Sequence, residues 1–311
     1  MDYKSSAALL RQYDEYLLVT HKNPDGDTMG SAAALCSALR RAGKKAWLFD
    51  NVQTSDKLKK YVGKYFAPEG YKPRSVISVD TATEGMMPRG FEGETDFCVD
   101  HHPTNSRYAK QYLVCDEKAS CGEIVLELIK ELCGDVTAEE ATLLYIAVTT
   151  DTGCFQYLNT KAETLYAAAE LVSLGADSAR VNLDFFRKHS PARLKLEGLA
   201  YSGMELYREG KISVVTITQQ MLKDSCATEN DLDDLAGLAG RAEGAELCIT
   251  IRELSDGSSK ISVRSGPDVS SSDICAVFGG GGHAMAAGCT ISAAPQRAKE
   301  LLLSVVDEVW K

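Results

Sequence analysis

No stretch of this chain approaches the roughly 18–20 uncharged apolar residues of a membrane span, so no membrane crossing is expected. Met1-Asp2-Tyr3-Lys4 lacks the basic-then-apolar pattern of a secretory signal, which argues against export. The ten cysteines include no CxxC pair. Cys36, Cys98, Cys154, Cys248 and Cys289 lie among apolar or small residues, as reduced buried thiols do, and a reducing cytoplasm is the expected compartment. A basic stripe is missing too. Lysine and arginine number 34 against 44 acidic residues, for a net charge of −10. That balance argues against clamping long duplex nucleic acid, which needs many neutralised phosphates. A small phosphorylated substrate held at a metal stays open.

What is present is average globular composition, 44% hydrophobic and 25% charged over 311 residues, which excludes disordered, collagen-like and coiled-coil chains. The length implies about two domains. Strand-like runs at Tyr16–Thr20, Lys45–Phe49, Ser75–Val79 and Asp96–Val99 alternate with helical patterns. The helices are expected over Thr28–Ala42 (Asp27 as N-cap, Gly43 as stop), Cys121–Cys133, and from the Thr137-x-x-Glu140 capping box to Thr150. Such alternation predicts an α/β fold, an N-terminal domain over 1–186 with a largely parallel sheet. One helical linker is expected over 187–208, broken at Pro191. A smaller mixed α/β domain follows over 209–311, with strands at Ile212–Ile217, Leu247–Ile251 and Lys260–Arg264.

Four of the five histidines fall in polar or glycine-rich clusters. The first cluster, His21-Lys22-Asn23-Pro24-Asp25-Gly26-Asp27, follows a strand. Pro24 and Gly26 force a sharp turn that can aim an imidazole and two carboxylates at one point. Asp80 ends the next strand in Val79-Asp80-Thr81. Asp100-His101-His102 ends another, and adjacent histidines point in different directions, so the pair can serve two roles. Thr150-Asp151-Thr152-Gly153 follows the capped helix. Each alone reads as readily as a helix cap or a loop carboxylate. Together they read as one site, because open α/β sheets bind ligands beyond the carboxyl ends of their strands. Histidine and aspartate without cysteine suit Mn²⁺ or a similar divalent ion, not structural zinc. Four carboxylates (Asp25, Asp27, Asp80, Asp151) would balance two such ions, and a pair about 3.5–4 Å apart suits phosphoryl transfer. Near the C-terminus, four consecutive glycines, Gly279-Gly280-Gly281-Gly282, lead into His283 and offer bare backbone N–H groups to an anion. The small-residue run Ala284–Gly288 suggests close helix packing.

These motifs, in this order, resemble those of the DHH phosphoesterases, and the Gly279–Gly288 segment resembles the signature of their associated C-terminal substrate-binding domain. Length and layout are most similar to the subfamily that degrades very short oligoribonucleotides and dephosphorylates 3′-phosphoadenosine 5′-phosphate. The resemblance implies two Mn²⁺ ions, with Mg²⁺ or Co²⁺ as substitutes. His21, Asp25 and Asp80 would hold one; Asp27, Asp80, His101 and Asp151 would hold the other, with Asp80 shared. It assigns catalytic roles to Asp80, His102 and Asp100: His102 on the scissile phosphate, Asp100 orienting its neighbours. Arg264, Ser265, Gly280, Gly281, Gly282 and His283 would bind the far end of the substrate. The implied partners are short RNA oligonucleotides and small phosphorylated nucleotides. A dimer is suggested, although no self-complementary patch is legible.

Two other readings remain. A phosphodiesterase acting on linear or cyclic diadenylate would need the same metal motifs and differ only in pocket details. A non-catalytic nucleotide-binding protein would be expected to have lost ligands, and none is missing.

Overall fold

A computed structural model describes residues 1–228, 231–232 and 235–310. It divides the chain into two compact units, Met1–Lys188 and His189–Lys311. In the first, α1 (Tyr3–Gln12), β1 (Tyr16–Val19), α2 (Gly26–Arg41), β2 (Ala46–Leu48), α3 (Asp56–Val62), β3 (Ser75–Val79), β4 (Phe97–Asp100) and β5 (Gln111–Val114) precede four helices. These are α4 (Cys121–Cys133), α5 (Ala138–Asp151), α6 (Ala162–Ser173) and α7 (Ser178–Asn182). The five strands are all parallel, in the order β2-β1-β3-β4-β5. Every residue of β1, β3 and β4 is buried, which explains why these strands read as predominantly apolar runs, broken only by Ser75, Ser78 and the closing Asp100, and not as alternating ones. The chain leaves β1 toward β2 on one side and returns as β3 on the other. Strand order therefore reverses between β1 and β3, and the carboxyl ends of these two strands are where open sheets of this kind bind ligands.

Three helices of this unit approach one another at backbone distance. A Cβ on Gly30 of α2 would lie 2.4 Å from the Leu143 carbonyl oxygen of α5, and one on Gly122 of α4 would lie 2.6 Å from Ala147 Cβ. The alanines at 32–34 and Leu35 of α2 are wholly buried there. The cap of α2 is Asp25, whose carboxylate accepts from Thr28 N, and not Asp27 as the sequence pattern predicts. Gly26 is the first helical residue, so Asp27 already lies in the first turn.

The second unit contains α8 (Pro191–Ser202), β6 (Glu205–Tyr207), β7 (Ile212–Ile217), α9 (Gln219–Ser225), β8 (Leu247–Glu253), β9 (Ser259–Ser265), α10 (Ser271–Ala276), β10 (Gly281–His283), β11 (Ala286–Ile291) and α11 (Pro295–Val309). Its sheet runs β10-β11-β9-β8-β7-β6, with only β7 and β8 parallel. Ala298, Leu302 and Val306 of α11 are buried in one core with Val214, Ile249 and Val263. The single helix expected over 187–208 is not formed. Ser190 caps a helix that Pro191 begins and that ends at Ser202, after which 205–207 pair with β7 as an edge strand. Pro191 fits the first helical position because no N–H is needed there.

The helix packing expected for Ala284–Gly288 is also overturned: the segment from Gly281 onward is a β-hairpin. Gly280 and Gly282 allow its strands to close. A Cβ on either would fall within 2.5 Å of a carbonyl oxygen of β11, Gly288 for the first and Ala286 for the second. Among the described residues, no helix is long and apolar enough to cross a membrane.

Candidate metal centre

The carboxyl ends of β1, β3 and β4 and the last turn of α5 deliver the predicted side chains to one place. Thr20-His21 continues β1, and the His21 carbonyl accepts from the amide of Asn51 at 2.9 Å. Asp80 follows β3 with a positive φ of 56°, a left-handed conformation that aspartate tolerates better than most residues. Its N–H donates to the Val99 carbonyl at 2.8 Å, fixing it against β4. His21 Nε2 lies 3.6 Å from both Asp25 Oδ2 and Asp80 Oδ2. His101 Nε2 lies 3.4 Å from Asp80 Oδ1, 3.7 Å from Asp151 Oδ2 and 3.8 Å from Asp27 Oδ2. His102 Nδ1 is 3.5 Å from Asp80 Oδ1. Three clusters of donor atoms result, each within a 4.8 Å span: His21/Asp25/Asp80, Asp27/His101/Asp151 and Asp80/His101/His102.

The electrostatics of this cluster call for cations. Burial alone would lower the His21 pKa, yet Asp25 and Asp80 hold it up at about 10. His101 is held at about 11 against the same effect, chiefly by Asp80. Burial drives the Asp151 carboxyl up to about 7, with Asp80 and Asp25 adding repulsion. Asp27 is raised for the same reasons: burial first, then Asp80 and Asp151. Burial pushes Asp80 upward as well, but His101 and His21 outweigh it and hold its carboxyl below the usual range.

These residues fit divalent ions. Asp80 is 3% exposed, and its Oδ1 is a buried acceptor with no hydrogen-bond donor, an arrangement that costs about 1–3 kcal/mol unless something completes it. The 3.4–3.8 Å gaps between nitrogens and oxygens exceed good hydrogen bonds. They are spacings at which ligands gather around a shared centre.

Further residues, invisible as motifs, hold these side chains in place. Asp27 is 1% exposed and accepts from the first N–H groups of α4, Cys121 at 2.7 Å and Gly122 at 2.9 Å, and from Ser31 Oγ at 3.1 Å. Its charge thus sits at a helix N-terminus, where the macrodipole favours it. His101 Nδ1 lies 3.2 Å from the Lys118 carbonyl, which sets its N–H there and turns Nε2 toward the carboxylates. Asp100, wholly buried, accepts from His102 Nδ1 at 2.8 Å, His101 N at 2.9 Å and Asn105 Nδ2 at 2.6 Å. Asp100→Asn replaces one acceptor oxygen by a donor in this network. The expected result is a fall in kcat of ~10–100-fold with the far-ultraviolet dichroism unchanged; a variant with wild-type kcat would remove Asp100 from the orienting role.

The second unit holds the remaining predicted residues. Pairing sets His283 of β10 opposite Ala286 of β11, and Ala286 opposite Arg264 of β9. Directly paired residues share a sheet face, so an arginine and an imidazole flank one alanine across about 10 Å of sheet. Gly281, Gly282 and His283 are exposed. Ser265 differs: its hydroxyl is engaged with the Val269 carbonyl at 2.6 Å and with Ser271 Oγ at 2.8 Å, and it shapes the turn before α10.

A model of the N-terminal domain of the DHH family matches residues 15–148, and a model of the DHHA1 domain matches 211–311. The bifunctional oligoribonuclease and PAP phosphatase NrnA of Thermus thermophilus is 33% identical over 299 residues, covering 94% of this chain and 89% of that protein. The chain belongs to the DHH family. Its members are metal-dependent phosphoesterases, and the first match contains His21, Asp25, Asp27, Asp80 and His101, with Asp151 just beyond it. The same fold recurs in an exopolyphosphatase-related protein of Bacteroides fragilis (TM-score 0.88, 21% identity, 98% of this chain and 96% of that one). It recurs again in RecJ of Thermus thermophilus in complex with Mn²⁺ (TM-score 0.58, 15% identity, 98% of this chain and 55% of that one).

Proposed function

We propose that this DHH phosphoesterase degrades very short oligoribonucleotides to 5′-mononucleotides and removes the 3′-phosphate of 3′-phosphoadenosine 5′-phosphate. The observation that carries this reading is the convergence of His21, Asp25, Asp27, Asp80, His101 and Asp151 at one sheet edge, in a chain that aligns over nearly all of its length with a protein named for both activities. His21, Asp25 and Asp80 would hold one Mn²⁺; Asp27, Asp80, His101 and Asp151 would hold a second. The four carboxylates match the charge of two divalent ions. When bound, such ions supply Lewis-acid charge to phosphoryl oxygens and lower the pKa of water.

The chain's own groups do the rest. Asp100 accepts from His102 Nδ1 and, against burial, raises the pKa of the ring, so that the protonated imidazole donates its Nε2–H to a phosphoryl oxygen as charge develops there. The buried Asp27 and Asp80 exclude bulk water from their side of the site. In the second unit, Arg264 offers a planar fork to a phosphate, with His283 across the same sheet face. The bare glycine N–H groups expected from the sequence are partly spent, Gly279 N on the Ala276 carbonyl and Gly280 N on the Cys275 carbonyl, both at 3.0 Å. A small donor row of this kind suits a nucleotide or dinucleotide, in keeping with the acidic overall charge.

The test is a time course of 5′-phosphorylated diadenylate with Mn²⁺. Stoichiometric AMP is expected, abolished by EDTA and restored by excess Mn²⁺. No AMP from the dinucleotide, with turnover of cyclic diadenylate instead, would replace this substrate reading by the cyclic-dinucleotide one.

A further inference from the structure

The segment after Asp151 is unusual in its backbone. Gly153, Cys154 and Phe155 all have positive φ, at 55°, 55° and 67°. Two of these are not glycine, and each such residue costs about 1 kcal/mol or more unless its surroundings enforce it. The turn is held from within by Cys154 N to the Thr149 carbonyl (2.7 Å), Gln156 N to the Thr152 carbonyl (2.9 Å) and Phe155 N to Thr152 Oγ1 (3.2 Å). From outside, Cys154 Sγ reaches Asn182 Oδ1 at 3.9 Å and Phe155 meets Tyr145 edge-on, and a third side chain ties the end of α5 itself. Asn159 Nδ2 donates to the Asp151 carbonyl at 3.1 Å and to the Ala119 carbonyl at 3.1 Å.

Ala119 belongs to the loop whose preceding residue, Lys118, offers its carbonyl to His101 Nδ1. That loop is anchored at its other side by Glu123, which accepts from Ala119 N at 3.2 Å and from Thr164 Oγ1 at 2.9 Å. One amide therefore spans two pieces of backbone, one orienting His101 and the other carrying Asp151. Both of these residues are ligands of the same proposed ion.

We propose that Asn159 is a positioning residue that sets the His101–Asp151 separation, and that it acts on metal affinity without touching metal or substrate. The inference rests on the metal reading above. The joint contributes geometry more than burial. Ser120 Oγ, Asn159 Oδ1 and Thr160 Oγ1, all beside it, are buried polar atoms without a protein hydrogen bond among the described residues. A joint this polar gains little from the hydrophobic effect. Losing the two donors frees the strained turn to relax, and Asp151 with it.

The experiment compares wild type, Asn159→Ala, Asn159→Leu and the neighbouring control Thr160→Val. Each is titrated with Mn²⁺ by calorimetry and, in EDTA, melted. Both Asn159 variants are expected to bind Mn²⁺ ~10–100-fold more weakly, and excess Mn²⁺ should recover most of their kcat with KM within about twofold of wild type. The metal-free melting temperature should move by no more than ~2–4 °C, about 1 kcal/mol for a unit of this size. Thr160→Val should bind as wild type does. Unchanged Mn²⁺ affinity in the Asn159 variants overturns the proposal, as does equal weakening by Thr160→Val. A large fall in metal-free melting temperature assigns Asn159 a structural role only. If wild type itself binds no Mn²⁺, the metal reading fails and this inference with it.

Discussion

Asp80→Asn is expected to lower turnover of diadenylate by ~10³-fold or more, beyond the ~10–100-fold typical of residues that only orient a ligand. Among the described residues, Asp80 is the one carboxylate that faces both His21 and His101, through Oδ2 at 3.6 Å and Oδ1 at 3.4 Å, and so takes part in both proposed ion sites. The substitution keeps size and shape. Asparagine also tolerates the left-handed backbone at this position, so the fold should survive. It replaces one oxygen by NH₂, which cannot ligate a cation. Calorimetric Mn²⁺ titration should then show the loss or severe weakening of both binding events, while Asp151→Asn should weaken mainly one. Activity within tenfold of wild type for Asp80→Asn would refute the shared-ligand assignment.

Gly30→Ala is expected to lower stability by ~2–3 kcal/mol, a melting shift of roughly 4–12 °C. Helix propensity alone predicts the opposite, a gain of about 1 kcal/mol. Packing decides the sign, because the added carbon would sit 2.4 Å from the backbone oxygen of Leu143 and 3.2 Å from Ala147 N. Backbone cannot rotate out of the way as a side chain can, so α2 must back off from α5. Gly198→Ala in α8 is the internal contrast. Nothing lies within 4 Å of the added carbon there, and that variant should gain about 0.5–1 kcal/mol. Thermal melts of the two proteins check both signs, and a Gly30→Ala protein as stable as wild type would mean that α2 and α5 are not in close contact.

The inner strands of the first unit were legible because both faces are covered, which leaves predominantly apolar runs such as Val76-Ile77-Ser78-Val79 with an aspartate marking the rim. The turn residues Pro24 and Gly26 marked the other end of the same rim. What escaped sequence reading depended on partners far along the chain. Asp27 looks like a cap for its own helix, yet its acceptors serve α4, about 94 residues away. Ser31 and Asn105 carry no pattern at all, since their value lies only in which carboxylate they reach. The edge strands β5 and β6 are only four and three residues long, too short for period-two alternation to stand out. The hairpin at Gly281–Ile291 was missed for a different reason. Glycine and alanine runs signal close approach without saying whether helix or strand is doing the approaching, and here two strands do it. Asn159 could have been suspected only from its spacing after Asp151, and spacing of eight residues across a turn has no periodic meaning.

The double role of Asp27 has an evolutionary consequence. Substitutions at catalytic positions usually relieve strain and are tolerated by the fold. Asp27 is bound to two backbone N–H groups of α4 and to Ser31, so its loss would leave buried donors without an acceptor. Among the described residues, the Asp151 side chain has no comparable hydrogen bond to backbone, and burial and like charge from Asp80 and Asp25 raise its pKa. A gene copy released from selection for hydrolysis would therefore shed Asp151 early and keep Asp27 long after catalysis had gone. In the fossil of such an enzyme, a retained Asp27 would testify to a helix start and not to a working metal.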